Sequence, residues 1–284
     1  MSTENKKEQI EMRNKMIADN LGKIKHHIVV FSGKGGVGKT TISVNLAYGL
    51  QSKGNRIGLL DADITGPNVP KLLGLSGQLF LNHDRIIPQE IYNMKVVSIA
   101  GMIPSGQPVI WRGPMRSNLL DQFLGEVEWG PLDYLVADLP PGTGDEILTM
   151  TQKMEPDLAI IVTTPQEVSL IDSARAINMA KKMEIPNIGV IENMSGLICP
   201  KCGARIEPFG TGGGKKQAEE LMVSFLGELP MDIEARRMAD NGKLIVYEKK
   251  EAAISIAILD IVKRIEEIYN YNSKTPEKKQ ERSK

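Results

Sequence analysis

Three groups of residues in this chain are chemically loaded: a glycine-rich loop with two lysines, aspartates that end apolar runs, and a pair of cysteines. The loop is Gly33-Lys34-Gly35-Gly36-Val37-Gly38-Lys39-Thr40, with Thr41 next. Glycines let backbone amides approach a ligand closely, and amides gathered at a helix start form an anion nest. Lys39 would reach β- and γ-phosphates and the Thr40 hydroxyl would ligate Mg²⁺. A string of this form arises by chance in such a chain roughly once in a hundred. Lys34 is a second cation inside the same turn. Because Lys39 already serves the chain's own nucleotide, Lys34 is placed to neutralise phosphate charge across a subunit interface.

The aspartates follow apolar stretches. Arg56-Ile-Gly-Leu-Leu-Asp61 continues into Ala62 and Asp63, and Leu132-Asp-Tyr-Leu-Val-Ala-Asp138 into Leu139-Pro140-Pro141-Gly142-Thr143-Gly144-Asp145. Doubly wound sheets collect ligands at the carboxyl ends of their strands. Asp138 is read as the carboxylate that holds Mg²⁺ beside the loop, often through water. Asp61 and Asp63 either serve an attacking water or Mg²⁺, or cap the helix near Pro67. Gly142 is expected to bring an amide to the γ-phosphate, and Asp145 to cap the helix after it. After Asn187-Ile-Gly-Val-Ile191 comes Glu192-Asn193-Met194-Ser195. Guanine readers carry Asn-Lys-x-Asp there; without that aspartate, adenine is favoured, read partly by the Asn193 amide and walled by Pro230-Met231-Asp232. The expected nucleotide is ATP.

Cys199-Pro-Lys-Cys202 holds the only two cysteines of the sequence. Two cysteines placed at random fall three apart roughly once in a hundred times. Both thiolates of such a turn face one soft metal. A four-thiolate site then lacks two ligands, and a two-fold homodimer supplies them. The readings are a bridging iron–sulfur cluster, a bridging zinc, a redox dithiol or an inert pair. The redox reading lacks the helix-opening position of thioredoxin-like motifs.

The elements that must position these groups are legible. Ile28–Phe31, 56–61, 132–138, 158–163 and 187–191 read as buried strands, with helices over 41–51, 146–153 and 169–183. They predict an α/β fold, a doubly wound and mostly parallel sheet flanked by helices. Residues 85–88 and 94–98 are expected to pair as a hairpin, and a helix to run from Trp111 to about Glu126. Trp111 is read as packing and Arg112 as exposed. Gly212–Gly214 is expected to lead a helix to about Phe225, followed by a strand over 227–230. The apolar stripe of 252–268 suits core docking better than a membrane, since its polar face mixes charges. Residues 1–24 read as a surface helix, 25–270 as the nucleotide-binding domain, and 271–284 as a disordered polar tail. Equal numbers of basic and acidic residues, 35 each, give no global attraction to nucleic acid or anionic membrane. A polar N-terminus and two reduced cysteines point to the cytoplasm.

Together, the loop, Asp61-x-Asp63, the run from Trp129 to Asp145, and Cys199-x-x-Cys202 resemble the Mrp/ApbC-type proteins. The resemblance covers roughly residues 25–270, and Ala137 is a small departure. The loop with Lys34 also resembles the deviant Walker A motif of SIMIBI-type P-loop NTPases, whose first lysine crosses a dimer to the partner's nucleotide. The resemblance implies a slow ATPase, homodimeric, with a bridging 4Fe-4S cluster delivered to apo-proteins and exchanged with cluster-assembly scaffolds. It also implies Asp63 as the water-positioning residue of switch I. A ParA/MinD-like positioning ATPase shares the loop and both switches but has no use for Cys199 and Cys202. The nitrogenase iron protein spaces its cluster cysteines far apart, unlike this pair.

Overall fold

The computed structural model describes residues 3–82, 85–102 and 113–274. In chain order the elements are α1 (Thr3–Leu21), β1 (Ile24–Phe31), α2 (Lys39–Gln51), β2 (Ile57–Asp61), α3 (Val69–Leu73), β3 (Phe80–Asn82), β4 (Arg85–Ile87), β5 (Gln89–Ile91), β6 (Met94–Ser98), α4 (Gly113–Gly125) and β7 (Leu132–Asp138). The second half adds α5 (Asp145–Met154), β8 (Leu158–Thr163), α6 (Glu167–Lys182), β9 (Asn187–Glu192), β10 (Leu197–Ile198), β11 (Arg205–Ile206), α7 (Gly213–Glu220), β12 (Ser224–Glu228), α8 (Ile233–Asp240), α9 (Ile245–Glu248) and α10 (Ala253–Lys274).

Eight strands form one sheet in the order β12-β9-β8-β1-β7-β2-β6-β5. All neighbours run parallel except β5, which closes one edge antiparallel to β6. Strands covered on both faces need apolar residues at every position. In β1, Ile28 and Val30 enter one core while Val29 and Phe31 enter the other. The first core packs against α2 and α10, through Ile42, Leu46, Ile258, Ile261 and Ile265 among others. The stripe of α10 is therefore docked in the core, as its mixed polar face indicates. The second core takes α1, α4 and α5, with Trp129 fully buried and its indole N–H donating to the Phe123 carbonyl at 3.0 Å. Asp133, within the run from Trp129 to Asp145, holds the opposite end of the sheet. Its carboxylate takes Lys25 at 2.7 Å and Arg56 at 3.1 Å, and these partners, the Arg56 hydrogen bond foremost, hold its pKa far below the usual range.

Three expectations are corrected. Residues 85–88 and 94–98 do not pair: β4 pairs with β3, and β6 pairs with β5 and β2. The cause is the turn at Tyr92 and Asn93, both left-handed (φ 51° and 56°), the geometry of a tight two-residue hairpin. The helix expected to reach Phe225 ends at Glu220, and Ser224–Glu228 is a strand beside β9. A short apolar run does not distinguish the two by period. The helix of 253–274 enters the stretch read as a polar tail. The remainder of that tail, together with Ser105–Pro108, Trp111 and Arg112, lies outside the described residues.

Helix α1 lies on the surface and is docked along one side. Met12 stays exposed, but Ile17 and Leu21 are buried. Gly125 lies against it, where a Cβ would stand 3.2 Å from Ile17. Asn20, 2% exposed, donates its amide to the carbonyls of Leu124 and Val127 at 2.8 and 2.9 Å. Replacing Asn20 by Leu leaves two buried carbonyls without that donor, at a cost of about 2 kcal/mol. Urea unfolding of Asn20→Leu should show this loss; an unchanged midpoint would show that the Asn20 amide contributes nothing to stability.

Candidate functional site

The site is built where the sheet's connectivity reverses. From β1 the chain moves outward to β2 and β6, returns to insert β7 between β1 and β2, then continues on the other side with β8 and β9. Register places Val30, Asp138 and Asp61 side by side. The turn after β1 therefore faces two aspartates at a topological switch point.

The glycine loop closes onto α2. Gly38 is its N-cap, at φ 85°, and gives no side-chain cap, so the first-turn amides remain directed into the loop. Gly35 and Gly36 are exposed. Gly33 is needed for a different reason: a Cβ there would stand 2.2 Å from the Asp172 backbone of α6. Lys39 is almost fully buried and its ammonium lies 2.8 Å from Asp138 Oδ2. The Thr40 hydroxyl donates to the same oxygen at 2.7 Å, and Ser43 Oγ donates to Asp138 Oδ1 at 2.6 Å. Lys34 is half-buried, and among the described residues no carboxylate lies within salt-bridge distance of it.

Oxygen donors alone, a hydroxyl and a carboxylate next to an anion nest, suit Mg²⁺, which takes one or two protein oxygens and leaves the rest to phosphate and water. Thr40 and Asp138 fit that ion.

Asp61 is fully buried beside this group. Its Oδ2 accepts from Ser98 Oγ at 2.9 Å and from the Val69 amide at 3.2 Å, so it caps α3. Burial first, then the charge of Asp138, raises its pKa to about 8. Asp63 Oδ1 accepts from Thr65 Oγ1 at 2.7 Å and from the Gly66 amide at 3.2 Å, fastening the loop after β2. Gly142 is close to the nucleotide loop, but its amide donates to the Ser32 carbonyl at 2.8 Å; contact with a γ-phosphate requires that bond to open. Gly144, not Asp145, is the N-cap of α5. The Asn193 amide nitrogen donates to the Val37 carbonyl at 2.8 Å, tying β9 to the loop. Asp232 caps α8, accepting from the amides of Glu234 and Ala235, so its Oδ1 is engaged by that helix. Ser43 and Ser98 are the partners that sequence reasoning missed. Ser43 stands one helical turn after Lys39, a spacing that puts it on the same face.

The cysteines stand apart, on the hairpin of β10 and β11. Cys202 is exposed and Cys199 partly so. The Cys199 amide donates to the Ala204 carbonyl, and Gly203 donates to the Cys199 carbonyl, both at 2.9 Å. Hydrogen bonds from the Lys201 and Cys202 amides and from the Cys202 thiol lower the Cys199 pKa. Among the described residues no group of three His, Cys, Asp or Glu side chains could hold a metal ion.

The sheet, the loop and the strand-end aspartates define a P-loop NTPase. The model of the NUBPL iron-transfer P-loop NTPases matches residues 23–266, and the chain belongs to that family. A protein of Methanocaldococcus jannaschii named iron-sulfur cluster carrier protein is 50% identical over 266 residues, 92% of this chain and 91% of that one. Its namesake in Pyrococcus horikoshii is 48% identical over 261 residues, 87% of this chain and 88% of its own. Among solved structures, a nucleotide-binding protein from Archaeoglobus fulgidus in complex with ADP matches with a TM-score of 0.73 at 37% identity, over 83% of this chain and 93% of that chain. The cell division ATPase MinD of Pyrococcus furiosus, at 22% identity and a TM-score of 0.63 over 86% and 99% of the two chains, shares the fold.

Asp61 makes a signed prediction. Its native pKa of about 8 lies above the ordinary 3.8, so the fold binds that proton more tightly than the unfolded chain does. The stabilisation is complete below the ordinary value and is lost as pH rises through the native one. Asp61→Asn should gain thermal stability relative to the parent across that window and level off above it. A difference that does not vary with pH would show that Asp61 is ionised throughout.

Proposed function

We propose that this chain is an ATP-hydrolysing iron–sulfur cluster carrier that works as a homodimer, binds a bridging 4Fe-4S cluster and transfers it to apo-proteins. Two thiols on one exposed hairpin, with no third ligand beside them among the described residues, are half of a four-thiolate set. A second copy related by a two-fold axis brings the other half. The amides that point at Cys199 favour its thiolate, the form that binds iron. Membership of an iron-transfer family and the names of the relatives support the same cargo. A positioning ATPase would have no use for this hairpin.

Residues Gly33 to Thr41 would cradle the triphosphate, with Lys39 on the β- and γ-phosphates and Asn193 Oδ1 left to accept from the adenine amine. Mg²⁺ held by Thr40 and Asp138 would neutralise phosphate charge. Asp63 positions the attacking water once a γ-phosphate pulls the loop after β2 inward. Lys34 reaches the nucleotide of the partner subunit, its ammonium being uncommitted to a carboxylate among the described residues. Hydrolysis is slow, since a carrier needs gating more than flux, and clients and assembly scaffolds meet the hairpin on its exposed side. Neither nucleic acid nor membrane is a partner in this scheme; no helix among the described residues is long and apolar enough to cross a membrane.

Anaerobic reconstitution with iron and sulfide tests the cargo. The parent should gain visible charge-transfer absorption, about four irons per dimer by the four-thiolate chemistry, and pass the cluster to an apo-acceptor. Cys199→Ser and Cys202→Ser should each abolish all three. A colourless monomer that takes no iron would remove the proposal. In single-turnover assays at saturating ATP, Asp63→Ala should slow hydrolysis by roughly a hundredfold. Lys34→Ala should hydrolyse slowly and fail to dimerise with ATP; a dimer formed as readily as the parent's would place Lys34 outside the interface.

A further inference from the structure

Between the phosphate loop and the cysteine hairpin there is one short, tightly fastened path. It begins at Asn193, whose amide nitrogen donates to the Val37 carbonyl at 2.8 Å. That carbonyl belongs to the peptide entering Gly38, the left-handed residue on which α2 begins. The fit is close: a Cβ on Gly38 would stand 2.3 Å from Asn193 Nδ2. Asn193 is itself anchored, its backbone amide donating to the Thr163 carbonyl at 2.8 Å.

From Asn193 to Cys199 the chain has little slack. Met194 and Gly196 are both left-handed, at φ 62° and 83°. The Ser195 amide donates to the Leu229 carbonyl at 2.9 Å, and the Met231 amide to the Gly196 carbonyl at 2.7 Å. Ser195 and Gly196 are buried. Leu197 bridges to Met231, and Ile198 pairs with Arg205 across the hairpin. Cys199 follows at once, its amide on the Ala204 carbonyl.

We propose that Asn193 is the positioning residue that carries the state of the phosphate loop to Cys199 and Cys202. An anion entering the loop turns its amides inward, and turning the peptide that enters Gly38 moves the Val37 carbonyl that Asn193 grips. The segment, buried at Ser195 and Gly196 and fastened by hydrogen bonds along its length, transmits that displacement because a packed strip rearranges as a unit. The purpose of this strut rests on the carrier reading; its geometry does not. Linkage makes the effect reciprocal, so occupancy of the thiolates alters nucleotide affinity by the same factor.

The test uses the metal-free, full-length protein. Iodoacetamide alkylation of Cys199 and Cys202 is timed by mass spectrometry with no nucleotide, with saturating ADP, and with a saturating non-hydrolysable ATP analogue. In the parent, at least one cysteine should change rate by roughly fivefold or more between nucleotide states. In Asn193→Asp, which keeps the shape but loses the donor, and in Asn193→Ala, the ratio should fall to near one. Saturation removes any contribution of Asn193 to base affinity, and a thermal melt selects the variant that is folded. A nucleotide response in a folded variant equal to the parent's overturns the proposal, as does a parent whose cysteines ignore nucleotide. A parent that responds but takes no iron and sulfide leaves the strut standing and removes the carrier reading instead.

Discussion

A single buried carboxylate organises the nucleotide end of this molecule. Asp138 is fully buried and holds Lys39, Thr40 and Ser43 at once. A charge so placed persists only if it is paired and hydrogen-bonded. The pairing is possible because β7 lies between β1 and β2, bringing the end of one strand beside the loop that leaves the other. Removing one partner would leave the others facing an uncompensated charge, which is why the loop, the start of α2 and the end of β7 form one unit. Burial first, and then the charge of Asp138 on the adjacent strand, makes Asp61 hold its proton.

Much of this was legible before any coordinates. The strands containing 28–31, 57–61, 132–138, 158–163 and 187–191 carry near-continuous apolar runs, with polar residues mainly towards their ends, a pattern that parallel, doubly covered strands impose. The loop and the aspartates follow from spacing along the chain. What the sequence hid was of two kinds. One was local geometry without a signal, such as the turn at Tyr92-Asn93, which lacks the usual glycine, or the short apolar run of β12. The other was pairing across long separations. Nothing local says that Asn20 will grip Leu124 and Val127, that Ser98 will hold Asp61, or that Asn193 will face Val37 as well as any base. Residue type announces a capacity to hydrogen-bond; only the fold selects the partner.

The two ends of the molecule solve opposite problems. The nucleotide loop is walled by backbone, to the point that Gly33 has no room for a side chain against α6. The cysteines instead sit on a hairpin of two-residue strands with much of their surface open. A buried thiolate pair would hold metal tightly and release it poorly. On the proposed carrier reading, an exposed pair at half strength would hold it only when two chains meet, so retention would depend on protein concentration as well as affinity.

The docking of α1 also fixes an order of events during synthesis. The helix leaves the ribosome well ahead of its partners, since the carbonyls that Asn20 grips belong to residues more than a hundred positions later. At cellular elongation rates that separation is on the order of ten seconds. Throughout the wait the helix has no surface to cover, and its composition suits it to waiting: a charged segment with a narrow apolar stripe survives in water where a greasier one would seek the wrong partner. A helix made early is thus locked in place only once the carbonyls it grips have been made and brought to it.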